Sequence, residues 1–138
     1  YDDKILNIFE DAPASNRQAL YSTVRQITTG GSTNLSGGIK SGTDLFEKYP
    51  HPGYSKRMFV LSDGLANIGL QSKAEINRFV KKYNEKGIII DSFGVGEDFD
   101  EGIMKGIAEA GNGQFFFLET AKLTSYLIIL FNVCFTSG

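Results

Sequence analysis

The chain has one cysteine and one histidine in 138 residues. The lone thiol, Cys134, excludes an internal disulfide. Its place in an apolar run reads as a small buried hydrophobe rather than a nucleophile. The lone imidazole, His51, excludes a zinc cluster of the usual kind. A Ser/His/Asp triad would have to use this loop residue between Pro50 and Pro52, and no nucleophile–base pair is evident. No catalytic residue is assigned. Excess charge is missing too: 14 Lys and Arg stand against 16 Asp and Glu, a net charge of −2. Neither nucleic acid nor an anionic membrane has an electrostatic handle here. The longest nearly apolar run, 126–135, is about half of the ~20 residues that span a bilayer, so it reads as a packed terminal helix and no membrane insertion is expected. The opening residues, YDDKILNIF, lack the basic start and small-residue cleavage site of a signal peptide. Extracellular, cell-surface and cytoplasmic locations all stay open.

What is present is ordinary for a globular protein, with 41% hydrophobic and 22% charged residues. The length suits one domain, 1–138, with a core of its own. Apolar residues at 5, 6, 8 and 9 read as a strand. Ser15 is a plausible cap for a helix over 16–27, where Leu20, Val24 and Ile27 recur at helical spacing. A loop dense in glycine and hydroxyl follows over 28–38 and runs into a second helix over 35–49. Such a loop brings backbone amides and hydroxyls close to a ligand. It is not a phosphate loop, since no Gly-Lys-Ser/Thr follows the glycines. A third helix runs over 72–86, with Ser72 and Glu75 spaced as a capping box and Gly87 as its stop. Strands are expected over 88–95 and 114–118, with a helix over 101–110 between them. Thr120 caps a last helix, to 131.

The sharpest stretch is 57–69, RMFVLSDGLANIG. Four apolar residues, 58–61, end abruptly in Ser62-Asp63-Gly64. A buried parallel strand delivers a carboxylate to the rim of a sheet in this way, and ligands of open α/β sheets bind outside the carboxyl ends of the strands. Strands and helices alternate along the chain, which predicts a parallel sheet with helices on both faces. Right-handed crossovers place the strand ends carrying Asp63 and Gly96 on one rim. Asp91, inside an apolar strand, is expected to pair with a hydroxyl or a backbone amide. The acids at 97, 98, 100 and 101 lack calcium-loop spacing and suit a helix N-terminus.

Four motifs taken together resemble the von Willebrand factor type A domain: GSTNLSGGI from Gly31, VLSDG from Val60, IDSFGVG from Ile90 and AEAGNGQFFF from Ala108. The resemblance covers nearly the whole chain. It implies an α/β fold: a Rossmann-like, doubly wound, mostly parallel sheet with helices on both faces. It also implies a metal-ion-dependent adhesion site, in which Thr33 and Asp63 match the ligands of the family's second and third segments. Ser32, Asn34, Gly64 and Asn67 would then lie on the partner-facing rim. The ion is usually Mg²⁺, with Mn²⁺ or Ca²⁺ as alternatives, and the partner is a protein presenting an acidic residue. The family's first segment, Asp-x-Ser-x-Ser, is absent from these residues, as are the first strand and first helix. Thr33 and Asp63 alone are expected to bind an ion weakly or not at all. A sheet without its first strand is also expected to self-associate or rearrange at the unpaired edge. The reading that follows is a binding module and not an enzyme. The alternatives are an assembly or regulatory domain with a vestigial metal site, or a non-catalytic part of a multi-domain enzyme such as a metal chelatase.

Overall fold

The computed structural model describes residues 32–119, together with Ile5, Asn7, Glu10, Asp11, Ser15, Asn16, Gln18, Ala19 and Ser22. The strand expected over 5–9, the helices over 16–27 and 120–131, and Cys134 fall wholly or largely outside the described residues. Within 32–119 the order is α1 (Leu35–Lys48), β1 (Lys56–Ser62), α2 (Lys73–Asn84), β2 (Ile88–Val95), α3 (Glu101–Ala110) and β3 (Asn112–Leu118). The strands form a parallel sheet in the order β1-β2-β3. A helical crossover precedes each added strand, which is what parallel pairing requires. All three strands therefore end on one rim, at Ser62, Val95 and Leu118.

Local chemistry explains where the helices start. Asn34 caps α1 by accepting the Gly37 N–H, and Asp100 caps α3 by accepting the Ile103 N–H at 2.8 Å. The acid-rich loop before α3 thus supplies a cap, as its position suggested. Ser72 Oγ accepts the Glu75 N–H at 3.3 Å and donates its own hydroxyl to Glu75 Oε2 at 2.5 Å. This is a variant of the capping box: the glutamate takes the hydroxyl proton rather than the cap's backbone N–H. Ser72→Ala is expected to lower stability by about 1 kcal/mol in urea unfolding, the usual worth of such a cap. Gly87, at φ +80°, closes α2 in the left-handed region where glycine is favoured.

The three described helices share one face of the sheet. Leu35 and Ile39 of α1, Ile76 and Val80 of α2, and Ile103, Met104 and Ile107 of α3 form one core with Val60, Ile88 and Ile90. Ser92 Oγ donates to the Met104 carbonyl at 2.6 Å, which seats α3 on β2. The other expected helices, over 16–27 and 120–131, fall largely outside the described residues. On the opposite face Phe93, 1% exposed, stacks on Phe116 at 5.0 Å and meets Phe59 edge-on at 5.6 Å. Near them Asp91, wholly buried, crosses all three strands. It accepts the Arg57 guanidinium of β1 at 2.5 and 3.0 Å and the Gln114 N–H of β3 at 2.8 Å. The backbone amide was expected from the sequence and the arginine was not. The β2–β3 register shifts beside Asp91, between Ile90 and Ser92, and the carboxylate takes an amide at this irregular step.

Residues before α1 tie to its C-terminal end. Glu10 accepts the Tyr49 hydroxyl at 2.8 Å and pairs with Lys48. The Lys48 ammonium, then the Tyr49 hydroxyl, hold the Glu10 carboxyl below the usual carboxylate range. His51 Nε2 lies 2.6 Å from Asp11 Oδ1.

Candidate functional site

The rim at the end of β1 is built from two segments far apart in sequence. At the strand's end Ser62 is buried, and its hydroxyl donates to the Gly64 carbonyl at 3.1 Å. This short bond turns the chain and leaves Asp63 exposed. The second segment, 32–34, enters α1 beside it. A Cβ placed on Gly64 would stand 3.6 Å from Thr33 Oγ1, so the threonine hydroxyl lies against the turn that follows Asp63. Thr33 and Asp63, paired from the sequence, are brought to one place by the fold.

The two segments are stitched together. The Thr33 N–H donates to Asn67 Oδ1 at 2.7 Å, and the Thr33 carbonyl accepts from the Asn67 and Ile68 N–H groups at 3.2 and 3.3 Å. Three residues on, the Leu70 N–H donates to Ser36 Oγ at 3.0 Å. Between these bonds, Gly69 adopts φ +76°, and a Cβ there would come within 2.4 Å of Ser36 Oγ and 2.7 Å of Asn34 Oδ1. Glycine is required at 69 on both counts.

The expected rim residues therefore divide. Gly64 forms the turn between Asp63 and Thr33. Asn67 is exposed, but its side-chain oxygen is engaged by Thr33. Asn34 is half-buried and its side-chain oxygen caps α1 at 2.9 Å from the Gly37 nitrogen. Ser32 is half-buried beside Thr33. Ser36 was not singled out from the sequence, although it lies in the GSTNLSGGI motif, and its hydroxyl is the second stitch. Leu65, two residues past Asp63, is 60% exposed on the same loop. His51 lies before β1, at the opposite end of a seven-residue strand from Asp63. That strand length is roughly 20 Å, so the imidazole is remote from the rim.

The donors suit a hard cation in kind. A threonine hydroxyl and an aspartate carboxylate are oxygen ligands of the type that Mg²⁺ and Ca²⁺ take, directly or through water. Among the described residues no group of three or more His, Cys, Asp or Glu could hold a metal ion. Among them, also, no helix is long and apolar enough to cross a membrane.

Comparison with known proteins agrees with the fold. The family model of the von Willebrand factor type A domain matches residues 1–127. The Escherichia coli (strain K12) protein YfbK is 29% identical over 107 residues, covering 77% of this chain and 19% of that protein. The pig (Sus scrofa) inter-alpha-trypsin inhibitor heavy chain H1 is 29% identical over 108 residues, 75% of this chain and 12% of that protein. The chain thus spans a fifth or less of these curated relatives. Among solved structures, proximal thread matrix protein 1 from the mussel byssus, with a zinc-occupied MIDAS motif, superposes with a TM-score of 0.74. It is 18% identical, over 94% of this chain and 33% of that one.

Proposed function

The chain belongs to the von Willebrand factor type A domain family, and from that premise we propose that it binds a protein partner at the rim carrying Thr33 and Asp63. Domains of this family are in general interaction modules with a metal site. In this reading the Thr33 hydroxyl and the Asp63 carboxylate hold a divalent ion, which when bound offers a coordination position to an acidic side chain of the partner. The observation that carries the reading is the seating of Thr33 against the turn after Asp63, fixed by three hydrogen bonds to residues 67 and 68. A hydroxyl seated against the turn that follows an exposed aspartate, on a residue engaged through its backbone, keeps its oxygen available for an ion. Zinc in the site of the mussel protein supports a divalent ion here, while Mg²⁺ and Mn²⁺ suit the same oxygens. Leu65 stands on the same loop and offers the partner an apolar contact.

Two side-chain oxygens are few for an ion that prefers six. The affinity expected of these residues is therefore weak, with Kd on the order of 10⁻⁴–10⁻³ M, the loose end of oxygen-ligand sites. A second reading is an assembly or regulatory domain whose metal site is vestigial, since among the described residues no group of three or more His, Cys, Asp or Glu could hold an ion. Titration with Mn²⁺, followed by calorimetry and thermal shift, separates the two. The first reading expects saturable binding and a raised Tm, both lost in Asp63→Ala. Identical traces for the two proteins would sink it and leave the assembly role.

A further inference from the structure

We infer that Asn67 is a positioning residue for this site: its side-chain oxygen sets where the Thr33 hydroxyl stands relative to the Asp63 carboxylate. The inference rests on the metal reading for its purpose, but its geometry is independent of any ion. Thr33 precedes α1 and belongs to no helix or strand. Its N–H and its carbonyl are both engaged by residues 67 and 68 of the opposite loop. An asparagine serving only its own turn would bond backbone two or three residues away. Asn67 Oδ1 instead reaches 34 residues back along the chain, to the one segment that supplies the threonine.

The surroundings hold Asn67 still. Gln71 Nε2 donates to the Asn67 carbonyl at 3.1 Å, which fixes the backbone from which the side chain projects. The Leu70–Ser36 bond and the close packing of Gly69 on Asn34 and Ser36 hold the rest of the loop against α1. Removing the Asn67 amide therefore leaves the loop docked and releases only the N–H of Thr33. The device is local: Asn67 Oδ1 takes the Thr33 N–H, while the Thr33 carbonyl keeps its bonds from the Asn67 and Ile68 N–H groups. Aspartate at 67 keeps an oxygen acceptor at the same reach, and alanine does not.

The test uses amide hydrogen exchange, read by NMR, on the chain and on Asn67→Ala and Asn67→Asp. In Asn67→Ala the Thr33 amide is expected to exchange about tenfold faster, the equivalent of one net hydrogen bond. Exchange in α1 and β1 should be unchanged. In Asn67→Asp the Thr33 amide should stay within about threefold of the parent, because an acceptor remains. Acceleration spread evenly over α1 and β1 would mean a general stabilising role and would overturn the inference. An unchanged Thr33 amide in Asn67→Ala would also overturn it. Mn²⁺ broadening supplies a readout that a merely structural role would not move. In the parent it should centre on Thr33 and Asp63, and in Asn67→Ala it should persist at Asp63 and fade at Thr33. Broadening that stays at Thr33 in Asn67→Ala counts against the inference. Absence of broadening in the parent overturns the metal reading instead, and the exchange result alone then decides whether Asn67 places Thr33.

Discussion

Asp91→Ala is expected to lower the stability of the fold by about 2–4 kcal/mol, measured by urea unfolding, and its Tm by roughly 10 °C. The carboxylate is wholly buried and receives three hydrogen bonds from two neighbouring strands. Alanine leaves the Gln114 N–H, in a part-buried bond, without its acceptor, at a cost of about 1 kcal/mol or more. It also strips the Arg57 guanidinium of its carboxylate. That side chain is 43% exposed, so water takes up part of the loss, and the pair contributes less than a fully buried one. The alternative substitution, Arg57→Met, leaves an anion buried with only the Gln114 amide, which is costly in a different way. If Asp91 acts as a brace between strands, the Asp91→Ala/Arg57→Met double variant should lose less than the sum of the single losses. Strictly additive losses would count against the brace. The consequence reaches the rim, because β1, which Arg57 ties to Asp91, ends at Ser62, next to Asp63.

Gly113→Ala should be comparably severe, about 3 kcal/mol or more, at the upper end of what overpacking does. A Cβ at Gly113 would lie 2.2 Å from the Ile90 carbonyl oxygen, 2.6 Å from its carbon and 2.9 Å from the Asp91 nitrogen. All three are backbone atoms, so no rotamer change relieves the overlap. β3 would have to move off β2, disrupting the pairing of Ile90 with Asn112 and the bond from Gln114 to Asp91. Gly87→Ala is the control. It has φ +80° but nothing within 4 Å of the added carbon, so only the left-handed backbone cost of about 1–2 kcal/mol applies. A loss at Gly113 no larger than that at Gly87 in parallel urea titrations would show that the close approach of β3 to β2 does not decide Gly113.

The elements of 32–119 are legible because their signals are local. Helical spacing at Ile76, Phe79, Val80 and Tyr83 depends on a 3.6-residue period, and all four residues belong to the core or pack on it. The run at 88–95 is apolar because β2 is the middle strand and largely covered. Caps at Ser72 and Asp100 act within three residues of themselves. Edges were less exact: β1 and β3 each extend two residues earlier than expected, at Lys56 and Asn112. There the pairing partner, not residue type, sets where a strand begins.

By itself the sequence determined the alternation that makes a parallel sheet and the rim position of Asp63, and its motifs gave the expectation that Thr33 lies near Asp63. Only the tertiary structure decided how that pair is held. Asn67 reaches Thr33, Ser36 reaches Leu70 and Arg57 reaches Asp91, each across 34 residues of chain. No period or cap spacing encodes such bonds. They depend on which loops the sheet brings together, and folding alone chooses their partners.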